Sequence, residues 1–126
     1  MIEYTIEQEV EGDIFPQPHA RTIKVLAAPD ILGTQYLWVA IDEIQPHNSS
    51  NSHAHQNEEV YFFLSGRGRV KVDNEEINVQ PGYCVLIPTG SLHQVFNDGN
   101  SVLRFVAAVA PAFTRQTFES SHREES

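Results

Sequence analysis

Apolar and polar residues alternate along much of this chain with the period of strands. Ile2, Tyr4 and Ile6 alternate with Glu3, Thr5 and Glu7, and Ile23 and Val25 alternate with Thr22 and Lys24, so both stretches are predicted as strands. Residues 34–45 (TQYLWVAIDEIQ) are rich in β-branched and aromatic types and stop at Pro46. Short β-rich runs then follow, each closed by turn residues: Val60 to Leu64, Arg69 to Asp73, Ile77 to Val79, Tyr83 to Ile87, Leu92 to Phe96 and Val102 to Val109. Strands at this spacing, with no convincing helix among them, predict an all-β sandwich or barrel.

Two stretches break the pattern. Pro46 to Asn57 (PHNSSNSHAHQN) has no apolar face and reads as a long polar loop, a kind that is often functional inside a compact domain. Thr114 to Ser126 (TRQTFESSHREES) is polar and charged with Phe118 its only large apolar residue, so a short helix or a frayed end is expected.

Composition narrows the classes. A chain of 126 residues is one domain's worth, 1–126, and at 40% hydrophobic residues it is too apolar to stay disordered. A formal charge of −9 repels phosphate backbones and anionic lipid, so no nucleic acid and no membrane is expected as a partner. The N-terminal MIEYTIEQEVEGD lacks the layout of a secretory signal, and a cytoplasmic protein is the default. Cys84 is the sole cysteine, which excludes an internal disulfide; between Tyr83 and Val85 in a strand it reads as a buried small residue.

The chemistry concentrates at His53, His55 and Glu59. Residues two apart in extended chain point to one side, so the two imidazoles can converge, and Glu59 shares their parity while Glu58 does not. Such nitrogen and oxygen donors suit a divalent transition metal: iron, manganese, nickel or zinc. His93 supplies a fourth donor, delivered by the tight turn at Pro88 and Gly90, with Asn97 four residues on.

These residues resemble a known family. His53, His55, Glu59 and Gly66 fit G-x5-H-x-H-x3-E-x6-G, and Gly82, Pro88, Gly90, His93 and Asn97 fit G-x5-P-x-G-x2-H-x3-N, the two motifs of the cupins. The resemblance spans residues 47–97, with one departure: His47 stands where the first motif opens on glycine. It implies a double-stranded β-helix, a jelly-roll barrel, with His53, His55, Glu59 and His93 holding one metal ion per chain. It also implies a homodimer paired through outer sheets.

Around that centre, Tyr61 and Phe63 share the parity of Glu59 and are expected to line the same cavity, as core filler or as substrate contacts. Val60, Phe62 and Leu64 make the strand's other face apolar too, so it is expected to be covered on both sides. Arg104, inside an apolar run, needs an ion-pair partner; failing that, its planar fork would suit a substrate carboxylate. His47 and Asp42 read first as surface residues and second as groups behind the ligands, and His19 and His122 as exposed.

Three histidines and a glutamate leave coordination positions open for a small-molecule substrate, water or dioxygen. A metal-dependent, dioxygenase-like enzyme acting on a small oxygenated or aromatic metabolite is the first expectation. A redox-neutral isomerase, decarboxylase or lyase, or a binding protein without catalysis, is the alternative.

Overall fold

The computed structural model describes residues 1–123. The strands are β1 (Asp13–Phe15), β2 (Arg21–Ala27), β3 (Trp38–Ile44), β4 (Glu58–Ser65), β5 (Gly68–Val72), β6 (Glu75–Val79), β7 (Cys84–Ile87), β8 (His93–Phe96) and β9 (Leu103–Ala110). A helix, α1 (Arg115–His122), follows them. Six strands pair in the order β1-β2-β3-β9-β4-β7 and three in the order β6-β5-β8, all antiparallel. The result is the double-stranded β-helix expected.

Alternation decides the core. In β9, Leu103, Phe105, Ala107 and Val109 are buried while Arg104, Val106 and Ala108 are half-buried on the other side. The inward sets of β2, β3, β4 and β9 meet around Ile23, Ile44, Phe63 and Phe105. Gly66, closing the first motif, has φ +85° and packs so closely that an added Cβ would lie 2.5 Å from the Val102 carbonyl oxygen. Only glycine fits there.

Three expectations need correcting. Residues 2–6 are not a strand: Ile2 and Tyr4 are exposed, no ladder pairs them, and a 3₁₀ turn at Glu7–Glu9 follows. No strand pairs with this alternation; the segment is tied down by Thr5 Oγ1 donating to the Leu26 carbonyl at 2.9 Å. The outward face of β4 is uncovered in the single chain, with Phe62 and Leu64 exposed. Cys84 is exposed as well, because it is the register partner of Phe62 on that same face.

The predicted loop is a loop, but not a free one. Its backbone runs beside β8, with Ser50 N–H donating to the Val95 carbonyl (2.9 Å), Asn97 N–H to that of Asn48 (2.9 Å) and His93 N–H to that of His53 (2.9 Å). The tail forms α1, opened by a reciprocal cap between Thr114 and Thr117. Its last residues, 124–126, lie outside the described ones. No helix among the described residues is long and apolar enough to cross a membrane.

Candidate metal centre

The loop backbone brings His53 beside His93, the first residue of β8, through a two-way bridge between their main chains. His55 is held from the other motif, its carbonyl accepting from Gly90 N–H at 2.8 Å. Glu59 points inward from the start of β4 and is 2% exposed, whereas Glu58 faces solvent. Ligand atoms of His53, His55, Glu59 and His93 all lie within 4.8 Å of one another.

What these atoms face is informative. Nε2 of each of the three histidines and Oε1 of Glu59 are buried without a hydrogen-bond partner. Each ring's Nδ1 lies against a backbone carbonyl: Asn51 for His53 (2.9 Å), Asn57 for His55 (3.1 Å) and Ser91 for His93 (3.0 Å). A carbonyl only accepts, so Nδ1 carries the proton and Nε2 presents a lone pair. Glu59 Oε1 is 3.2 Å from Nε2 of His55 and 3.4 Å from that of His93, which places electron pair against electron pair. Buried acceptors so arranged call for a cation.

Electrostatics agrees. Burial pushes the Glu59 carboxyl up. Holding it down at about 2 takes hydrogen bonds and positive charge from the direction of the His55 and His93 rings, a role that falls to a bound cation when both Nε2 atoms present lone pairs. Burial, then the neighbouring His122 and His93, push His53 well below the usual range, leaving it neutral. The cluster is compatible with one divalent metal, and its donors suit iron, manganese, nickel and zinc alike.

Next to the ligands lie groups of a second kind. Tyr61 is buried with its ring 4.9 Å from Phe105 and 6.3 Å from His93, and burial, then Glu59 and Asp42, hold its hydroxyl protonated. Phe63 is fully buried against Phe105 and serves the core. Asp42 is buried rather than on the surface, and its Oδ1 has no partner. Burial first, then the charge of Glu59, push it up to about 8 against the opposing pull of Arg21. His122 is buried too, its ring 4.9 Å from that of His53.

Other expected positions fall elsewhere. Arg104 lies on the outward side of β9, bound to both carboxylate oxygens of Glu7 and to Glu43, so it is committed to ion pairs and offers no fork to the interior. His47 is exposed, its Nε2 against Asn100 Oδ1 at 2.9 Å, and does not reach the ligands. Its φ of +60° is the conformation a glycine would supply, so the substitution keeps the motif's turn. His19 is half-buried with Nδ1 against Ser49.

Arg21, Asn51 and His122 form the part of the site that sequence reasoning missed. Arg21 is 3% exposed and donates to the carbonyls of His19 and His122 and to Asn51 Oδ1. Parity held the signal: Arg21 aligns with Ile23 and Val25, and Asp42 with Ala40 and Ile44, all inward. Phe118 and His122 are four apart, one face of a helix.

Comparison with known proteins agrees with this picture. The family model described as "Cupin domain" matches residues 40–109. An uncharacterised protein of Methanocaldococcus jannaschii is 34% identical over 63 residues, 50% of each chain. The oxalate-binding protein of Thermotoga maritima is 28% identical over 68 residues, 53% of this chain and 56% of its own. The chain thus spans about half the length of the curated relatives it matches. A predicted oxalate decarboxylase of Thermotoga maritima superposes with a TM-score of 0.77 at 19% identity, over 88% of this chain and 99% of that one.

Proposed function

The chain belongs to the cupin domain family, and on that premise we propose that it is a metal-dependent enzyme for a small oxygenated metabolite whose oxygens chelate the ion. The observation that carries the reading is the set of unpartnered ligand atoms of His53, His55, Glu59 and His93, converging from four points of the chain. When bound, the metal supplies Lewis-acid charge for an anion developing on the substrate.

Among the expected reaction types we favour a redox-neutral one, decarboxylation, isomerisation or elimination, over oxygen-dependent cleavage. Such reactions need a proton held near the substrate, and Asp42 and Tyr61 hold protons inside the barrel beside Glu59. The likeness to a protein named for oxalate binding supports a small dicarboxylate as the substrate class. We further read the outward face of β4 and β7, with Phe62, Leu64 and Leu86 exposed, as the surface through which two copies pair.

Elemental analysis of protein purified without added metal tests the centre. Wild type should carry about one divalent metal per chain and His93→Ala almost none. A wild type without stoichiometric metal would end the reading. Metal-loaded protein is then given oxalate and related acids: carbon dioxide released without oxygen uptake supports decarboxylation, and substrate-dependent oxygen uptake moves the assignment to an oxygenase.

A further inference from the structure

A metal-ligating ring is aimed only as well as the carbonyl on its far nitrogen is held. The three carbonyls here are held in different ways. Ser91 belongs to the Pro88–Gly90 turn, where its Oγ donates to the Pro88 carbonyl at 2.7 Å. Asn57 is tied by its side-chain amide to the Pro111 carbonyl, just past β9, at 2.6 Å. Asn51, which orients His53, is tied to the C-terminal helix.

That tie is double. Asn51 is 1% exposed; its Nδ2 donates to the Ser121 carbonyl at 2.8 Å, and its Oδ1 accepts from Arg21 Nη2 at 3.0 Å. The same Nη2 donates to the His122 carbonyl at 2.9 Å. Ser121 and His122 end α1, and a helix leaves its last carbonyls without intrahelical partners and with partial negative charge. Asn51 and Arg21 satisfy both. Phe118 anchors the helix one turn earlier on the same face as His122, its ring 5.6 Å from Trp38 and 6.2 Å from Phe15, and the His122 ring lies on His53.

We infer that Asn51 is a positioning residue for His53, and that through it α1 is a working part of the metal centre, so that helix docking and metal binding reinforce each other. Undocking α1 would strip Asn51 of the Ser121 carbonyl and Arg21 of the His122 carbonyl, leaving buried donors unpaired and the carbonyl that aims His53 loosened. Linkage makes the effect mutual: the factor by which docking tightens metal binding equals the factor by which metal tightens docking. The inference rests on the reading that these four residues bind metal.

The test uses the full chain and cobalt(II), whose paramagnetism shifts the Nδ1–H proton signals of ligating rings away from all others. Wild type should show three such exchangeable signals. Asn51→Ala should weaken cobalt binding about tenfold or more, with the His53 signal alone moving or exchanging faster with water. Asn57→Ala should act on the His55 signal instead. Thr114→Ala, at the exposed cap of α1, should shift the His53 signal in the direction seen for Asn51→Ala. Should Asn51→Ala fail to fold, Asn51→Asp keeps the bond from Arg21, loses the donor to Ser121 and is expected to give the same selective change. Effects spread evenly over all three signals, or unaltered affinity and signals, overturn the inference while leaving the metal centre standing. A wild type that binds no cobalt overturns both.

Discussion

The connection from Pro46 to Asn57 and the tail from Thr114 to Arg123 are both polar, and both lie against the metal centre, yet different forces hold them there. The loop is fixed through its backbone, which pairs with β8, and through buried polar side chains: Asn48 Oδ1 accepts from Ala20 N–H at 3.0 Å and Ser50 Oγ from Val95 N–H at 2.9 Å. The tail is fixed mainly by apolar contact, with Phe118 1% exposed among Trp38, Phe113 and Phe15, and hydrogen bonds from Asn51 and Arg21 reach only the two carbonyls that end its helix. A polar segment can therefore be buried in two ways: every polar group finds a partner, or one apolar side chain at the right helical position anchors the rest.

Substitutions on the two sides should separate these modes. The largest effect is expected at Phe118→Ala, which removes the tail's anchor and should cost about 3–5 kcal/mol by chemical denaturation. A cost below about 1 kcal/mol would show that hydrogen bonds hold the tail as they hold the loop. Next comes the junction, where Arg21 bonds both segments and interacts with buried Asp42. The Asp42 carboxyl is raised from 3.8 to about 8 in the fold, so folding takes up a proton between those values. Its contribution to stability is therefore complete below the unfolded value and is lost as pH rises through the folded one. Metal-free Asp42→Asn should gain on wild type by up to a few kcal/mol between about pH 5 and 8; a difference that does not change with pH would sink this assignment. The smallest effect is expected at His47→Gly on the loop. Relief of the left-handed backbone and the greater freedom of unfolded glycine nearly cancel, leaving stability within about 1 kcal/mol and metal content unchanged. Metal lost from that variant would place His47 nearer the ligands than it lies.

The loop was legible in the sequence because its information is spacing. His53, His55 and Glu59 hold fixed offsets to one another and to Gly66, and those offsets survive any detail of packing. The strands were legible where a partner strand exists, and misleading at Ile2 to Ile6, where alternation meets no ladder. A short helix was one of two expectations for the tail, but its docking was opaque because one phenylalanine and one histidine in a charged stretch find their place only once Trp38 and Phe15 are there to receive them. Arg21 and Asp42 were hidden differently. A charge at an inward position is expected to be expelled, and only the bonds Arg21 makes with His19, Asn51 and His122 explain its retention.

The exposed outer face of β4 and β7 also makes this chain convenient to instrument. Its single thiol, Cys84 on β7, is exposed in the single chain and in register with Phe62 of β4, on the proposed pairing face and opposite the side that carries Glu59. A fluorophore coupled to that sulfur labels one position per molecule without removing any other cysteine. Placed there it would report whether two copies pair through this face, while leaving the barrel's interior untouched.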